Sequence, residues 1–205
     1  MISVSGIRGV FGTDLTPENL ARFTAAYGTW LKGGTVVLGR DSRVTGQICE
    51  DIVASTLASV GCDVIKVGIV PTPTVAMGVL RHNADGGIII SASHNPAQWN
   101  ALKLLNGTSE FMTASEGKEM IAISDSGEFN YKMYDEIGSI SEDNDLLQYH
   151  IEEILKLDYI DPEIIRAAKL SVAVDAVNGA GSVGVPLLLE KLGIETVHTI
   201  HCTPN

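Results

Sequence analysis

Short runs of β-branched and aliphatic residues alternate with amphipathic segments along most of this chain, and this alternation constrains the fold more than any other feature. The β-rich runs lie at 35–38, 63–67, 87–90, 170–174 and 196–200. Helices begin between them where a capping side chain precedes proline, at Thr16-Pro17, Thr72-Pro73 and Asp161-Pro162. Alternating strands and helices form a mixed, mostly parallel sheet with helices on both faces, so we predict an α/β fold.

Two local motifs between residues 102 and 116 predict a hairpin turn and the start of a helix. Asn106-Gly107 separates the apolar run Leu102–Leu105 from Thr108–Met112, which predicts a hairpin on a type I′ turn. Thr113 stands three residues before Glu116, the spacing of a capping box at the start of a helix.

The character of the sequence changes around residues 125–145, where polar and turn-forming residues replace aliphatic ones. We place a domain boundary there and predict a first domain over residues 1–140 and a second over 141–205. Both parts contain a strand–helix–strand pattern, which fits a duplication and equally fits two instances of the commonest α/β arrangement. One such unit is too small to bury both faces of its sheet, so we expect the second domain to be only the start of a similar α/β domain.

Charge and hydropathy narrow the classes of function. The formal net charge is −11: residues 1–105 hold 8 Lys/Arg and 7 Asp/Glu, giving +1, and residues 106–205 hold 6 and 18, giving −12. An acidic chain repels nucleic acid and anionic membranes at long range, although the acidic half is equally well explained as a solvated surface. The chain has no apolar stretch near the ~20 residues of a membrane helix, no export signal, and three cysteines without metal or redox spacing. We therefore expect a cytoplasmic protein without nucleic-acid or membrane partners.

The β-branched run Ile88–Ile90 leads into a small, polar, proline-closed segment, Ser91–Pro96. Such a segment holds Ser93 outside the regular hydrogen-bond ladders, with His94 beside it. Seven residues beyond the proline, Lys103 supplies a cation that can reach the same place. A hydroxyl beside an imidazole and an ammonium suits a negatively charged group, and phosphate is the simplest candidate.

Four segments of the chain carry a family resemblance. They are Ser5-Gly-Ile-Arg8-Gly, Gly39-Arg-Asp-Ser-Arg43, Ser91-Ala-Ser-His-Asn-Pro96 and Val174-Asp-Ala-Val-Asn-Gly-Ala-Gly-Ser182. In this order they resemble the α-D-phosphohexomutases, the family of phosphoglucomutase, phosphomannomutase and phosphoglucosamine mutase. The resemblance implies that Ser93 is phosphorylated, passes its phosphate to a phosphorylated hexose or hexosamine, and takes the other phosphate back from the resulting bisphosphorylated sugar. It also implies Mg²⁺, with Ser93 as one ligand of the metal.

The same resemblance assigns roles to residues around the serine. Lys103 would contact phosphate and help proton transfer, and Arg8 would reach the site from the N-terminal segment as a catalytic and substrate-binding residue. Asn95 would bind substrate while it shapes the turn. Two roles stay open for His94, which could neutralise charge and act in acid–base catalysis or could brace the loop.

Two arginines, Arg40 and Arg43, follow the end of a predicted strand, where α/β proteins tend to bind ligands. We predict that Arg40 contacts the substrate. Both arginines are equally compatible with ion pairs to Asp41 or to other acids nearby.

The resemblance further implies parts that these 205 residues do not contain. They are a third domain, whose aspartate-rich loop supplies the remaining Mg²⁺ ligands, and a fourth domain with a phosphate-binding loop. We therefore expect an N-terminal fragment that is inactive by itself and self-associates through surfaces exposed by truncation. The sugar stays open, although the segment Gln98–Lys103 looks most similar to the phosphoglucosamine mutase branch.

A different class of function is suggested by Gly179-Ala-Gly-Ser-Val-Gly184, because G-x-G-x-x-G after a strand is the dinucleotide-binding fingerprint. That motif needs an acidic residue near the end of the next strand, where this chain has His201 and Cys202. A noncatalytic sugar-phosphate-binding module is a further alternative. A serine hydrolase is disfavoured because no G-x-S-x-G elbow is present.

Overall fold

The computed structural model describes residues 2–3 and 6–204, so Ser5 of the first resembling segment lies outside the described residues. The elements of the larger part are β1 (Ile2–Ser3), β2 (Gly6–Val10), α1 (Pro17–Trp30), β3 (Gly34–Arg40), α2 (Gly46–Ser59), β4 (Cys62–Ile69), α3 (Thr72–Arg81), β5 (Gly86–Ile90), β6 (Trp99–Asn106), α4 (Ala114–Ser126), β7 (Ile140–Glu142) and α5 (Leu146–Leu155). They are followed by α6 (Pro162–Ala167), β8 (Ser171–Asp175), α7 (Gly181–Lys191) and β9 (Thr196–Ile200). No helix within the described ranges is long and apolar enough to cross a bilayer.

The larger part is built on one sheet with the strand order β1-β2-β6-β5-β3-β4-β7. Strands β5, β3, β4 and β7 run parallel to one another, and the pairs β1–β2, β2–β6 and β6–β5 are antiparallel. The predicted mixed α/β sheet is thereby confirmed. Because β3, β4 and β5 are parallel, the loops that follow them leave the sheet at the same edge.

The strand pleat divides the core into two layers. Val36, Leu38, Ile88 and Ile90 pack with buried side chains of α1, α2 and α4 on one face. On the other face, side chains of β3 and β5 pack with α3 and α5 through Val37, Ile89, Val75, Val79 and Leu146. Helices therefore cover both faces, and β5 is buried along its whole length. Full burial of each such aliphatic side chain contributes about 1.5–3 kcal/mol, which makes β5 a rigid support for the loop that follows it.

A buried hydrogen bond fixes α1 against the β5–β6 pair. The hydroxyl of Tyr27, fully buried, donates to the carbonyl of Leu105 over 2.6 Å, and burial raises the pKa of this phenol far above its ordinary value. Gly86 makes room for it, because a Cβ there would lie 2.1 Å from the Tyr27 hydroxyl oxygen.

The predicted helix starts are largely confirmed. The Thr16 side chain accepts a hydrogen bond from the amide of Asn19 at 3.2 Å, and the Asp161 carboxylate caps α6 in the same way. The capping box between Thr113 and Glu116 is present in both directions. The prediction that Thr72 caps α3 was wrong by one position, because Pro71 is the cap and makes no side-chain hydrogen bond.

The hairpin after β6 differs from the predicted type I′ turn. That turn requires positive φ at its central residues, Asn106 and Gly107, and neither has it; Ser109 has φ 69° instead. The side-chain oxygen of Asn106 accepts from the amides of Thr108 and Glu110 and from the Thr108 hydroxyl, which widens the turn. Asparagine thus organises a longer loop here through its side chain.

The strand–helix–strand unit predicted near the end of the chain is present. Strands β8 and β9 are parallel and pair from Ser171 with Thr196 to Asp175 with Ile200. Both strands are largely exposed to solvent. The predicted boundary between residues 140 and 141 stays a prediction; β7 pairs with β4, and Leu146 of α5 packs on the α3 face of the first sheet.

Candidate functional site

The predicted site lies at the carboxyl edge of the parallel strands. We call residues 91–98, which connect β5 to β6, the serine loop. The amide of Asp41, just after β3, donates to the carbonyl of Ile90 at 2.9 Å. The amide of Val70, just after β4, donates to the carbonyl of Arg40 at 3.1 Å. These two bonds hold the three strand-end loops side by side, so that residues far apart in sequence share one surface.

Ser93 occupies a strained backbone position in this loop. Its φ is 56°, in the left-handed region that residues other than glycine rarely adopt. Its amide donates to the hydroxyl of the buried Ser91 at 3.1 Å, and the amide of Asn95 donates to the Ala92 carbonyl at 3.1 Å. Such conformations cost about 1–3 kcal/mol and persist only where the surroundings enforce them. The turn presents the exposed Ser93 hydroxyl to solvent on a defined backbone.

The Arg43 guanidinium holds the serine loop in this conformation. It donates to four backbone carbonyls of the loop and its junction with β6: Ser93 at 2.9 Å, Asn95 at 2.7 Å, Pro96 at 2.8 Å and Trp99 at 3.0 Å. Its Nε donates to the Asp41 carboxylate at 3.1 Å. The ion pair with Asp41 was one of the two predicted arrangements, but no sequence motif indicated the carbonyl contacts.

Arg8 and Lys103 lie on one face of the sheet beside the serine loop. Arg8 pairs with Ala101, and Lys103 pairs with Ile89, so the pleat puts all four side chains on the same face. Nη1 of Arg8 donates to Oδ1 of Asn95 at 2.9 Å. The two predicted cations are therefore brought together on the side of the sheet where Ile89 meets the cleft described below.

The pKa of Lys103 reports the electrostatics of this face. Partial burial lowers the pKa of Lys103, the positive charge of Arg8 lowers it further, and the negative charge of Asp41 opposes the change. Lys103 Nζ forms no hydrogen bond or ion pair with any other residue in the described part of the chain. A partly dehydrated ammonium beside a guanidinium is a favourable place for an anion.

His94 stands next to the serine hydroxyl. Its Nδ1 lies 3.4 Å from Ser93 Oγ, and both side chains are exposed. Which atom donates depends on the imidazole tautomer, so both predicted roles of His94, charge neutralisation with acid–base catalysis and bracing of the loop, stay open.

Arg40 is placed away from this group. Its Nη2 donates to Gln47 Oε1 at 3.0 Å, and its Nε lies 3.6 Å from the carboxylate of Glu50, which is 2% exposed. Lys66 approaches the same carboxylate at 3.2 Å. These contacts match the alternative of ion pairs with nearby acids. They do not support substrate contact, which for Arg40 stays a prediction.

A cleft of about 710 Å³ opens in front of the serine loop. Its walls come from the loops after β3, β5 and β8, and include Asp41, Arg43, Ser93, His94, Val177 and Gly179. The hydroxyl of Ser42 donates to the carbonyl of Asn178 at 2.7 Å, which joins the β3 and β8 loops. Sequence reasoning did not assign the β8 loop to the serine site, although the resembling segment 174–182 contains it.

The glycine-rich segment after β8 departs from a dinucleotide-binding turn. Val177 and Asn178 have φ values of 45° and 56°, and the Gly179 amide is bonded to the Ala176 carbonyl at 2.8 Å. His201, in the place of the expected acid, lies 3.1 Å from the Asp175 carboxylate. Dinucleotide binding stays an alternative that no contact here favours.

Acidic side chains do not gather into a cluster of three among the residues that the structure describes. No group of three or more His, Cys, Asp or Glu side chains in residues 6–204 is arranged to hold a metal. Asp41, whose carboxylate lines the cleft, accepts from the amide and the Nε of Arg43 with its two oxygens. Ser93 therefore stays the predicted oxygen ligand that this site would offer to the metal.

Comparison with known proteins decides the family. A sequence model described as phosphoglucomutase/phosphomannomutase, alpha/beta/alpha domain I, matches residues 2–138. The chain belongs to the phosphoglucomutase/phosphomannomutase family. The predicted resemblance is therefore confirmed.

Individual members of this family show how much of the fold the chain covers. It is 38% identical over 197 residues to a phosphoglucomutase/phosphomannomutase from Thermococcus kodakarensis, covering 94% of this chain and 42% of that protein. It is 36% identical over 193 residues to a probable phosphoglucosamine mutase from Methanopyrus kandleri, covering 94% and 41%. A crystal structure described as a phosphomannomutase from Thermus thermophilus superposes with a TM-score of 0.87 at 27% identity, covering 100% and 46%. The chain spans less than half the length of these relatives.

Proposed function

We propose that this chain carries the phosphoserine of a phosphohexomutase, which interconverts 1-phospho and 6-phospho sugars. The observation that carries the proposal is the Ser93 hydroxyl, held on a strained and clamped turn, with His94 Nδ1 3.4 Å away. Membership in the phosphoglucomutase/phosphomannomutase family supports the reaction class.

In the proposed reaction the Ser93 phosphate transfers its phosphoryl group to a free hydroxyl of a phosphorylated sugar. The bond between Ser93 Oγ and phosphorus breaks, a sugar oxygen–phosphorus bond forms, and the hydroxyl proton leaves the sugar as the serine oxygen gains one. The bisphosphorylated sugar then turns over and returns its other phosphoryl group to Ser93. Catalysis of such a step depends mainly on positioning and charge neutralisation.

The residues around Ser93 have separate roles in charge neutralisation, proton transfer and positioning. Arg8 and Lys103 place positive charge beside the loop, and the lowered pKa of Lys103 makes its ammonium a better proton donor than an ordinary lysine. His94 lies within reach of the oxygen that gains and loses the proton. Asn95 holds Arg8 in place through its side-chain oxygen. Mg²⁺, when bound, would supply further charge neutralisation at the Ser93 phosphate.

For the substrate we propose a hexosamine phosphate ahead of mannose or glucose phosphates. The support is the sequence of Gln98–Lys103 and the name probable phosphoglucosamine mutase given to several relatives that are 34–38% identical. Activity assays of the protein purified from its native source, on glucosamine, mannose and glucose phosphates in parallel, test this order. A higher kcat/KM for mannose or glucose phosphate would replace the proposed substrate.

The test of the reaction itself is Ser93→Ala. We expect the variant to lose nearly all mutase activity and to keep its fold, because a small exposed side chain is removed without a cavity. Intact mass of the native protein should show a phosphate adduct that Ser93→Ala lacks. Turnover at the native rate in Ser93→Ala would end the proposal. Saturable binding of a sugar phosphate without any turnover would favour a noncatalytic binding module.

A further inference from the structure

We propose that Arg43 is the positioning residue of the phosphoryl-transfer site: it fixes the serine loop in the conformation that aims Ser93, and it does so by geometry and not by charge. This inference rests on the proposed function for its kinetic consequence. The claim that Arg43 holds the serine loop in its conformation does not depend on the proposed function, because it concerns only the contacts of the loop.

The guanidinium of Arg43 uses all of its donors. An arginine side chain has five N–H groups in a fixed planar fork. In this structure Nη1 donates to the carbonyls of Pro96 and Trp99, Nη2 to those of Ser93 and Asn95, and Nε to Asp41. All five N–H groups are therefore engaged, and four of the five acceptors are backbone carbonyls of the segment that carries the reacting hydroxyl.

These contacts span the loop from Ser93 to the first residue of β6. A left-handed serine needs its surroundings to enforce its conformation. The Ser91 hydroxyl restrains the amide side of Ser93, and Arg43 restrains its carbonyl side. The Arg43 side chain is only 13% exposed, so the fork itself is held in place.

The charge of Arg43 contributes little at the hydroxyl. Its Nε is paired with the Asp41 carboxylate at 3.1 Å, and Asp41 also accepts from the Arg43 amide at 3.0 Å. An adjacent, hydrogen-bonded carboxylate largely cancels the field of the guanidinium at longer range. Lys103 differs in this respect, because among the described residues its ammonium forms no ion pair with a carboxylate. Positioning and charge are thus assigned to different cations of one site.

The variant Arg43→Lys separates the effect of side-chain geometry from the effect of charge. An ammonium keeps the charge but has three donors on a single atom, and it cannot span four carbonyls and a carboxylate. We expect Arg43→Lys to lower the single-turnover rate of phosphoryl transfer from Ser93 by about 100-fold, the scale of a misplacement near 1 Å. The affinity for glucosamine 6-phosphate should change by less than about threefold, since the anion-binding cations remain.

The experiment uses the protein at its native length, with Arg22→Lys as the matched control, because Arg22 is an exposed arginine on α1. Phosphate on Ser93 is followed by intact mass after mixing with glucosamine 6-phosphate. Amide hydrogen exchange is measured in parallel on peptides that cover residues 91–99 and on the rest of the sheet. We expect faster exchange confined to 91–99 in Arg43→Lys, and partial recovery of the rate when guanidinium ion is added to Arg43→Ala.

The outcomes separate the two proposals. Native transfer rates in Arg43→Lys, or exchange that rises equally throughout the protein, would overturn the positioning role. Absence of phosphate on Ser93 in the native protein would overturn the proposed function, while the exchange of residues 91–99 would still decide the role of Arg43. Asp41→Asn removes the charge of the carboxylate that accepts from Nε and from the amide of Arg43, and it covers the case in which variants at position 43 do not fold. It should speed exchange in 91–99 to a smaller extent, and unchanged exchange there would contradict the clamp.

Discussion

Arg8 Nη1 donates a hydrogen bond to Asn95 Oδ1 over 2.9 Å, which ties strand β2 to the serine loop across 87 positions of sequence. The same guanidinium lies close enough to Lys103 to lower the pKa of that ammonium. Arg8 therefore connects two features of the site: the conformation of the loop and the positive charge beside it.

Replacement of Arg8 should weaken anion binding beside the serine loop. We expect Arg8→Met to raise the Kd for inorganic phosphate about tenfold or more, because a hydrogen bond to a charged group contributes about 1.5–3 kcal/mol. Asn95→Ala keeps the charge and loses only the anchor, so its effect should be smaller. Calorimetric titration at low ionic strength measures both, with Arg22→Met as the control for loss of an exposed arginine. Phosphate binding by Arg8→Met with the native Kd would show that Arg8 does not face the anion.

Lys103 should lower the stability of the fold at neutral pH. Its pKa is lowered in the folded state, first by burial and then by Arg8, so the unfolded chain holds this proton more tightly. The cost is fully present below the folded pKa and disappears as the pH rises from that value towards the ordinary 10.5. Lys103→Met retains the apolar stem without the charge, so its free energy of unfolding at pH ~7 should exceed that of the native protein.

Urea unfolding at several pH values tests whether the charged form of Lys103 lowers the free energy of unfolding. The stability difference between Lys103→Met and the native protein should shrink as the pH approaches 10.5. Lys118→Met, at an exposed position on α4, is the control for the loss of a surface ammonium. A difference that stays constant over the whole alkaline range would mean that Lys103 is not dehydrated as described.

Local features of the fold could be predicted from the sequence because they depend on neighbouring residues. Thr16 and Asp161 cap helices through their own side chains, and the β-branched run at 88–90 is typical of the buried strand that it forms. The turn at Asn106 could not be predicted in this way. The side-chain oxygen of Asn106 accepts three hydrogen bonds from within the loop. These contacts form in place of the positive backbone φ of a type I′ turn, and they depend on the conformation of the whole loop.

The candidate site was predictable to the extent that its residues carry distinctive chemistry. The β2–β6–β5 register puts Arg8 and Lys103 on one face of the sheet, and Arg8 contacts Asn95 of the serine loop, where His94 lies beside Ser93. That these residues form one site stays a prediction. The sequence does not distinguish Arg40 at the end of β3 from Arg43 just after it, because only tertiary structure decides which neighbour each one contacts. The Arg40 side chain contacts the buried Glu50 on α2, whereas the Arg43 side chain contacts the serine loop.

The last prediction is that these 205 residues alone neither turn over a sugar phosphate nor hold magnesium tightly. Magnesium requires near-octahedral oxygen coordination, usually from carboxylates, waters and phosphate oxygens. Within residues 6–204 no acidic cluster is arranged for a metal, and Asp41 in the cleft is engaged by Arg43. Relatives that are 36–38% identical are more than twice as long, and we predict that the remaining metal ligands lie in the length that this chain does not cover. A coupled assay with Mg²⁺ and a bisphosphorylated sugar should detect no turnover by the isolated chain, and calorimetry should give a magnesium Kd in the millimolar range or weaker. Turnover above the Ser93→Ala background, or magnesium binding in the micromolar range, would show that the site in this chain is already complete.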